Sequence, residues 1–372
     1  MNIGISGSYG GLNLGDEAIL QSIIMKLEED LDASIRVFSR NPEDTLERHR
    51  VDRAIDVRRL SVKEILPEIE ELDLFILGGG GILYDSEINH YLREVKLARD
   101  RGIPVMLYGI GAGPLRKSSS QKLLRDSLGE NTVITVRDRN SQKVLEGLGI
   151  ETEIHVTADP ALLLPSENLE NEVPEIVHMD KKRKIVGFSV REPGGAAPGI
   201  NEDVYHDILA NAADYIIDRL DADILFIPME SNKRDQQHSH AVISLMQKPQ
   251  HATVLKGKYT PGQLLSIMDR FSFAVGMRLH FLILAALKSI PLVGLPYSPK
   301  VEHFLEELGL VIPPMRLVNS GRLIAYIDSF WDKKAEIRRT IKKKIPELQA
   351  RAGENHRILM DFIRSGFKSG GL

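Results

Sequence analysis

Short, uninterrupted apolar runs, spaced by stretches long enough for an amphipathic helix, constrain this chain more than any other feature. Ile3-Gly4-Ile5-Ser6, Ser34 to Phe38, Leu72 to Leu77, Pro104 to Tyr108, Thr132 to Val136 and Ile154 to Thr157 read as strands, with helices over Glu17 to Leu31 and Glu87 to Arg101. Strands that alternate with helices belong in a parallel sheet covered on both faces. The pattern breaks at Pro165 to Lys184, a polar stretch ending in Lys181-Lys182-Arg183-Lys184. It restarts with strands at Ile185 to Val190, Ile224 to Ile227, Ser272 to Val275 and Pro291 to Leu295. Helices are predicted at about Asp203 to Arg219 and Asp235 to Gln247, and Thr260-Pro261 opens another, with an N-cap residue before a first-turn proline.

A length of 372 residues favours two cores over one. The predicted organisation is therefore an α/β domain over 1–168, a linker over 169–184, a second α/β domain over 185–320, and a helical, charged segment over 321–372 that could pack back on the first domain. A cleft between two such halves is the expected place for a ligand.

Composition narrows the function classes. The net charge of -4 provides no basic field, so nucleic acid is not an expected partner. The absence of cysteine excludes disulfides, thiolate catalysis and cysteine-bound zinc. The opening Met1-Asn2-Ile3-Gly4-Ile5 lacks the features of a signal peptide, and the run Phe281 to Leu287 is too short to span a bilayer. The expectation is a soluble cytoplasmic protein. Lys333, Lys334, Arg338, Arg339, Lys342, Lys343 and Lys344 make one C-terminal stretch strongly basic. It reads either as a solvated helix or as a contact with the anionic inner face of a membrane or a lipid-linked substrate.

Chemistry-bearing residues gather at predicted strand ends, where open α/β sheets place their ligands. In the second half Arg191, Glu230, Arg278 with His280, and Lys300 each follow a strand, which points to an anion and first of all to a phosphorylated substrate. In the first half, Gly10-Gly11-Leu12-Asn13-Leu14-Gly15-Asp16-Glu17 joins the first strand to the first helix. Its glycines permit close approach of a ligand. Asp16 and Glu17 would repel a phosphate, however, and suit sugar hydroxyls or general-base work, unless Asp16 only caps the helix and Glu17 only complements its dipole. Gly78-Gly79-Gly80-Gly81 follows a buried strand and implies either a ligand against the loop or a closely packed helix. Gly109-Ile110-Gly111-Ala112-Gly113-Pro114 lacks the spacing of a dinucleotide loop. Arg137, before Asp138, is either a structural ion pair or an anion clamp.

Together these segments resemble the polysaccharide pyruvyl transferase family, in particular its bacterial cell-wall branch. The resemblance rests on Tyr9-Gly10, Asn13-Leu14-Gly15-Asp16-Glu17-Ala18-Ile19-Leu20, Gly78 to Gly81, Gly109 to Leu115, Val136-Arg137-Asp138, Ala158-Asp159-Pro160-Ala161, Ser189-Val190-Arg191, Gly276-Met277-Arg278-Leu279-His280 and Tyr297-Ser298-Pro299-Lys300-Val301, in family order over roughly residues 1 to 310. It implies two facing Rossmann-like domains of GT-B type, each with a mainly parallel sheet, the first on the acceptor side and the second on the donor side. It further implies phosphoenolpyruvate as donor and co-substrate, and nothing in such a scheme requires a cofactor or a metal. The acceptor would be a glycan of the cell wall or cell surface, or its lipid-linked precursor, and the product a cyclic pyruvate ketal.

Under that reading Arg191, Arg278 and Lys300 hold the donor, with Arg137 as a further candidate. His280 is the general acid, because an imidazole titrates near the working pH. Asp16 or Glu17 orients or deprotonates acceptor hydroxyls, and Asn13, Gly79, Gly80 and Glu230 lie near the ligands. Two alternatives use the same residues. One is a GT-B nucleotide-sugar glycosyltransferase with Glu230 on a ribose; the other is a non-catalytic glycan- or anion-binding protein.

Overall fold

The computed structural model of the chain describes all residues but 12, 130, 170, 172, 181, 193–198, 200, 231–233, 311–312, 315–316 and 368–372. It divides into two compact units, Met1–Leu164 with Leu348–Leu372, and Pro165–Glu347.

The first unit holds strands β1 (Asn2–Ser6), β2 (Ser34–Ser39), β3 (Arg53–Asp56), β4 (Leu74–Leu77), β5 (Gly80–Leu83), β6 (Val105–Ala112), β7 (Thr132–Val136) and β8 (Ile154–Val156). Helices α1 (Leu14–Asp30), α2 (Pro42–Arg48), α3 (Val62–Glu70), α4 (Ile88–Asp100), α5 (Ser118–Ser127) and α6 (Arg139–Gly147) connect them. The sheet runs β3-β2-β1-β4-β6-β7-β8, with β5 also paired to β6. Its strand pairs are parallel, as in Ile3 against Leu74 and Phe75 against Val105. Ile3, Ile5, Phe75, Ile76, Leu107 and Ile134 are wholly buried. Each such side chain stabilises the fold by about 1.5–3 kcal/mol, before conformational entropy is set against it.

The second unit repeats the plan on a smaller sheet. After the short α7 (Pro174–Val177) come β9 (Lys184–Ser189), α8 (Glu202–Leu220), β10 (Ala222–Phe226), α9 (Arg234–Leu245), β11 (Ala252–Val254), α10 (Pro261–Ile267), β12 (Phe271–Gly276), α11 (Leu279–Leu287), β13 (Leu292–Gly294), α12 (Pro299–Leu308) and α13 (Ser320–Asp332). The sheet order is β11-β10-β9-β12-β13, again with parallel pairs. Thr260 caps α10 in a reciprocal capping box with Gln263. The last helix, α14 (Lys334–Arg364), begins in this unit, and its residues from Leu348 group with the first.

In each sheet the strand order reverses once, between β1 and β4 and between β9 and β12. These reversals open a crevice at the carboxyl ends of the strands, and the loops that follow those strands carry most of the candidate residues.

Three differences from the sequence reading have physical causes. The four glycines after β4 are not one loop, because Gly80 and Gly81 open β5 and pair with Ile110 and Gly111. Gly109 to Ala112 is likewise strand rather than loop. The polar stretch read as a linker groups with the second unit. There Glu167 donates its backbone N–H to the Gly262 carbonyl at 3.1 Å, and its own carbonyl accepts from the Ser266 hydroxyl at 2.5 Å.

Candidate functional site

At the carboxyl edge of the second sheet, cations surround one tyrosine. Arg191 follows β9, and its Nη1 donates to the Tyr297 hydroxyl at 2.8 Å. The guanidinium also lies over the Tyr297 ring, 4.7 Å from the centroid, and its Nε donates to the Glu192 carbonyl at 2.9 Å. Burial alone would raise the Tyr297 phenol, yet Lys300, Arg191 and Arg278 together hold it below its ordinary value. The direction of that shift is the one that neighbouring cations impose.

Arg278 stands between β12 and α11 as the helix's N-cap residue. Its Nε donates to Asp235 at 2.9 Å, and its Nη2 donates to Glu230 at 2.7 Å and also to Asp235. Asp235 is fully buried in the first turn of α9 and also accepts the backbone N–H groups of Met229 and Glu230, each at 3.1 Å. Burial works against the charge of Arg278, but Asp235, with Tyr297 and Glu230, holds the guanidinium above its ordinary value. Part of the fork expected to clamp a ligand is therefore committed to protein carboxylates. Glu230, expected beside a ligand, spends its own carboxylate on Arg278.

His280 is the second residue of α11, with Nε2 buried. Lys300 is exposed in the first turn of α12. Ser298 precedes that helix without a side-chain capping bond. Its hydroxyl and that of Ser189, at the end of β9, are buried without hydrogen-bond partners among the described residues. The α11 start likewise has no side-chain cap. Two helix amino ends, two hydroxyls and three cations thus gather at one sheet edge, an arrangement that favours an anion of more than one charge. Tyr297, Ser189 and Ser298 were absent from the sequence-based site. The signal for Tyr297 was its place beside Ser298-Pro299-Lys300, where an aromatic ring reads most simply as core. A cavity of about 790 Å³, lined in part by Val173, Arg183, Lys184 and Ser272, lies at the amino ends of the same strands, away from these groups.

In the first unit the candidate residues meet at the β1–β4 reversal. Asn13, not Asp16, caps α1, its side chain accepting from the Gly15 N–H at 3.0 Å. Glu17 differs most from expectation. It is fully buried, accepting from the Gly10 N–H at 2.9 Å with one oxygen and facing His49 Nε2 at 2.8 Å with the other. It anchors the glycine loop and cannot present a carboxylate to an acceptor hydroxyl. Asp16 remains partly exposed beside Gly80, and its charge is felt by Tyr9, Tyr84 and Tyr91. The Tyr84 phenol is pushed up to about 12, by burial first and Glu87 next.

The glycine segments make room for side chains of the protein itself. A Cβ on Gly78 would overlap the hydroxyl of the wholly buried Tyr9. One on Gly111 would stand 2.8 Å from Arg137 Nη2. Gly79 faces the Tyr108 and Gly109 carbonyls rather than open space. Arg137 is buried, 3.0 Å from Asp159 and 3.4 Å from Asp138. Both carboxylates pair with its guanidinium, the arrangement of the structural ion pair that was one of its two readings.

Comparison with known proteins follows the same lines. The family model described as Polysaccharide pyruvyl transferase matches residues 13–299. No curated protein matches the chain. Among solved structures, the UDP-GlcNAc 2-epimerase from Neisseria meningitidis bound to UDP-GlcNAc is similar with a TM-score of 0.67 at 12% identity, covering 98% of this chain and 100% of that one. Anabaena HepE in complex with UDP-glucose gives 0.64 at 13% identity, over 98% and 100%. The Escherichia coli ADP-heptose lps heptosyltransferase II gives 0.52 at 16%, over 90% and 100%. Likeness at this level of identity establishes the fold, which is α/β and GT-B-like.

Proposed function

The chain belongs to the polysaccharide pyruvyl transferase family, and from that premise we propose that it transfers pyruvate from phosphoenolpyruvate to a sugar of a surface or cell-wall glycan, or of its lipid-linked precursor. The observation that carries this reading is the convergence of Arg191, Arg278 and Lys300 on Tyr297. Phosphoenolpyruvate bears a phosphate and a carboxylate on one small frame, and holding both takes more than one cation.

The proposed reaction has two steps. A sugar hydroxyl adds to the carbon that bears the phosphate and gives up its proton to a base, while the terminal methylene takes a proton from a general acid, so the carbon–carbon double bond becomes a methyl group and a new carbon–oxygen bond. A second hydroxyl of the same sugar then displaces phosphate from that carbon and gives up its proton to the departing phosphate or a base. The products are a cyclic ketal and inorganic phosphate. His280 supplies the proton to the methylene in this scheme. Arg191 and Lys300 bind the two anionic ends, and Arg278, held by Asp235, fixes the polarity of the pocket. Asp16 is the one acid of its pair placed to orient hydroxyls on the acceptor side. The scheme calls on no cofactor beyond the co-substrate.

The nucleotide-sugar alternative would need Glu230, here bonded to Arg278, to turn to a ribose. The basic face of α14 is proposed to hold the enzyme at an anionic membrane surface, where a lipid-linked acceptor resides. Among the described residues no helix is long and apolar enough to cross a membrane.

The test is a pair of variants. His280→Ala and Arg278→Lys should each lower phosphate release from phosphoenolpyruvate, in the presence of acceptor, at least about a hundredfold, the span that general acids and oriented charge contribute. Circular dichroism should stay that of the parent. Lysine preserves the charge toward Asp235, so this variant separates loss of the fork from loss of the fold. Near-normal release by folded Arg278→Lys and His280→Ala would remove the donor-site assignment.

A further inference from the structure

We propose that Glu202, His206 and His238 form a site for one transition-metal dication of the zinc type, tying α8 to α9. The three side chains offer ligand atoms that all lie within 4.8 Å of one another. Glu202 and His206 are four residues apart on α8 and so share a face. His238 comes from the neighbouring helix, its ring 5.1 Å from that of His206.

The geometry is convergent rather than chain-like. His238 Nδ1 faces His206 Nε2 at 2.8 Å and Glu202 Oε1 at 3.9 Å. Two imidazole nitrogens and a carboxylate oxygen therefore lie within 4.8 Å of one another, and a hydrogen bond between the two rings can place only one proton there. A cation accepts all three lone pairs at once. Both histidines are buried while Glu202 is 57% exposed, so the carboxylate side gives an ion its way in. Two histidines and one glutamate are a known ligand set for zinc, with a fourth position left to water. Tetrahedral zinc with bonds of about 2.0–2.1 Å spaces two nitrogens about 3.3 Å apart, so the pair need part by only about half an ångström.

The site sits behind the cation cluster. Tyr205, next to His206, donates its hydroxyl to the Arg191 carbonyl at 2.8 Å. Asp235, one turn before His238, holds Arg278. An ion there would lock the two helices that position both arginines. The inference stands apart from the pyruvyl-transfer reading and needs no activity to be tested.

The experiment is calorimetric titration of the chelator-treated full chain with zinc chloride near neutral pH. One ion per chain should bind, with a rise in Tm. The cobalt form should show visible absorption of nitrogen and oxygen coordination. Loss of a direct ligand should weaken binding at least about tenfold, the lower end of what even outer-shell partners contribute. That weakening is expected in His238→Ala and in Glu202→Gln, whose exposed position keeps the fold intact. Absence of saturable binding in the parent chain, or parent-like binding by Glu202→Gln and His238→Ala, would overturn the proposal.

Discussion

Asp235 decides what Arg278 can do. A sequence can show an arginine at a strand end, but not that a carboxylate from another strand's loop has bonded to it. Arg278, Arg191 and Lys300 were legible as cations at strand ends. The grip of Asp235 was not, because it joins residues 43 apart in the chain. Tyr297 was hidden for a different reason, since a buried aromatic reads as core until its neighbours are known. Its phenol supplies a direct probe. Its folded value lies below the ordinary 10.0, so its contribution to stability is complete above the unfolded value and fades as pH falls through the folded one. Tyr9, Tyr84, Tyr91, Tyr108, Tyr205, Tyr215 and Tyr259 are all shifted the other way. Ultraviolet titration of the parent and of Tyr297→Phe should therefore differ by an early tyrosinate component that the variant lacks. An unchanged early phase in that variant would contradict the cation cluster.

At the scale of elements, buried parallel strands were readable because both faces demand apolar residues, so β1, β4, β7, β9 and β12 stood out as runs. The strands that escaped were those without such a run. Gly80-Gly81 begins β5 with no side chains to pattern, β3 is bounded by the charged Arg53 and Asp56, and β11 spans only Ala252–Val254. Nor could the sequence show what fastens the end of α14. Asn355 is fully buried, accepts from the hydroxyls of Thr135 at 2.5 Å and Thr157 at 2.8 Å, and donates to the Ala158 carbonyl at 3.1 Å. Replacing it with leucine removes these three bonds from a buried site, where the threonine hydroxyls keep the Leu107 and Val136 carbonyls as acceptors. Asn355→Leu should lower stability in urea unfolding by about 1–3 kcal/mol, more if several of the groups stay unpaired. A change within experimental scatter would show that α14 is held by its apolar face alone.

For the whole molecule, two sheets with one reversal each carry the candidate residues at their strand ends, Asn13 and Asp16 on the first unit and Arg191, Arg278 and Lys300 on the second. The basic run on α14 belongs to this scale too. Ile337, Ile341 and Ile345 are buried while Lys333, Lys334, Arg338, Arg339, Lys342 and Lys343 are exposed, so the positive face is available to a partner. Each near-surface cation is worth about 1 kcal/mol on an anionic membrane. Replacing Arg338, Arg339, Lys342 and Lys343 by glutamine should release the protein from phosphatidylserine vesicles in sedimentation while leaving turnover of a soluble acceptor intact. Equal sedimentation of both forms would locate membrane contact elsewhere or nowhere. The central claim concerns the donor. Mass spectrometry of a panel of N-acetylhexosamine glycans, incubated with enzyme and phosphoenolpyruvate, tests it most directly. The account predicts a product heavier by pyruvate less one water, formed with one phosphate per ketal and absent with Arg191→Ala. Transfer of a sugar from a nucleotide donor instead, or saturable glycan binding with no adduct across the panel, would contradict it.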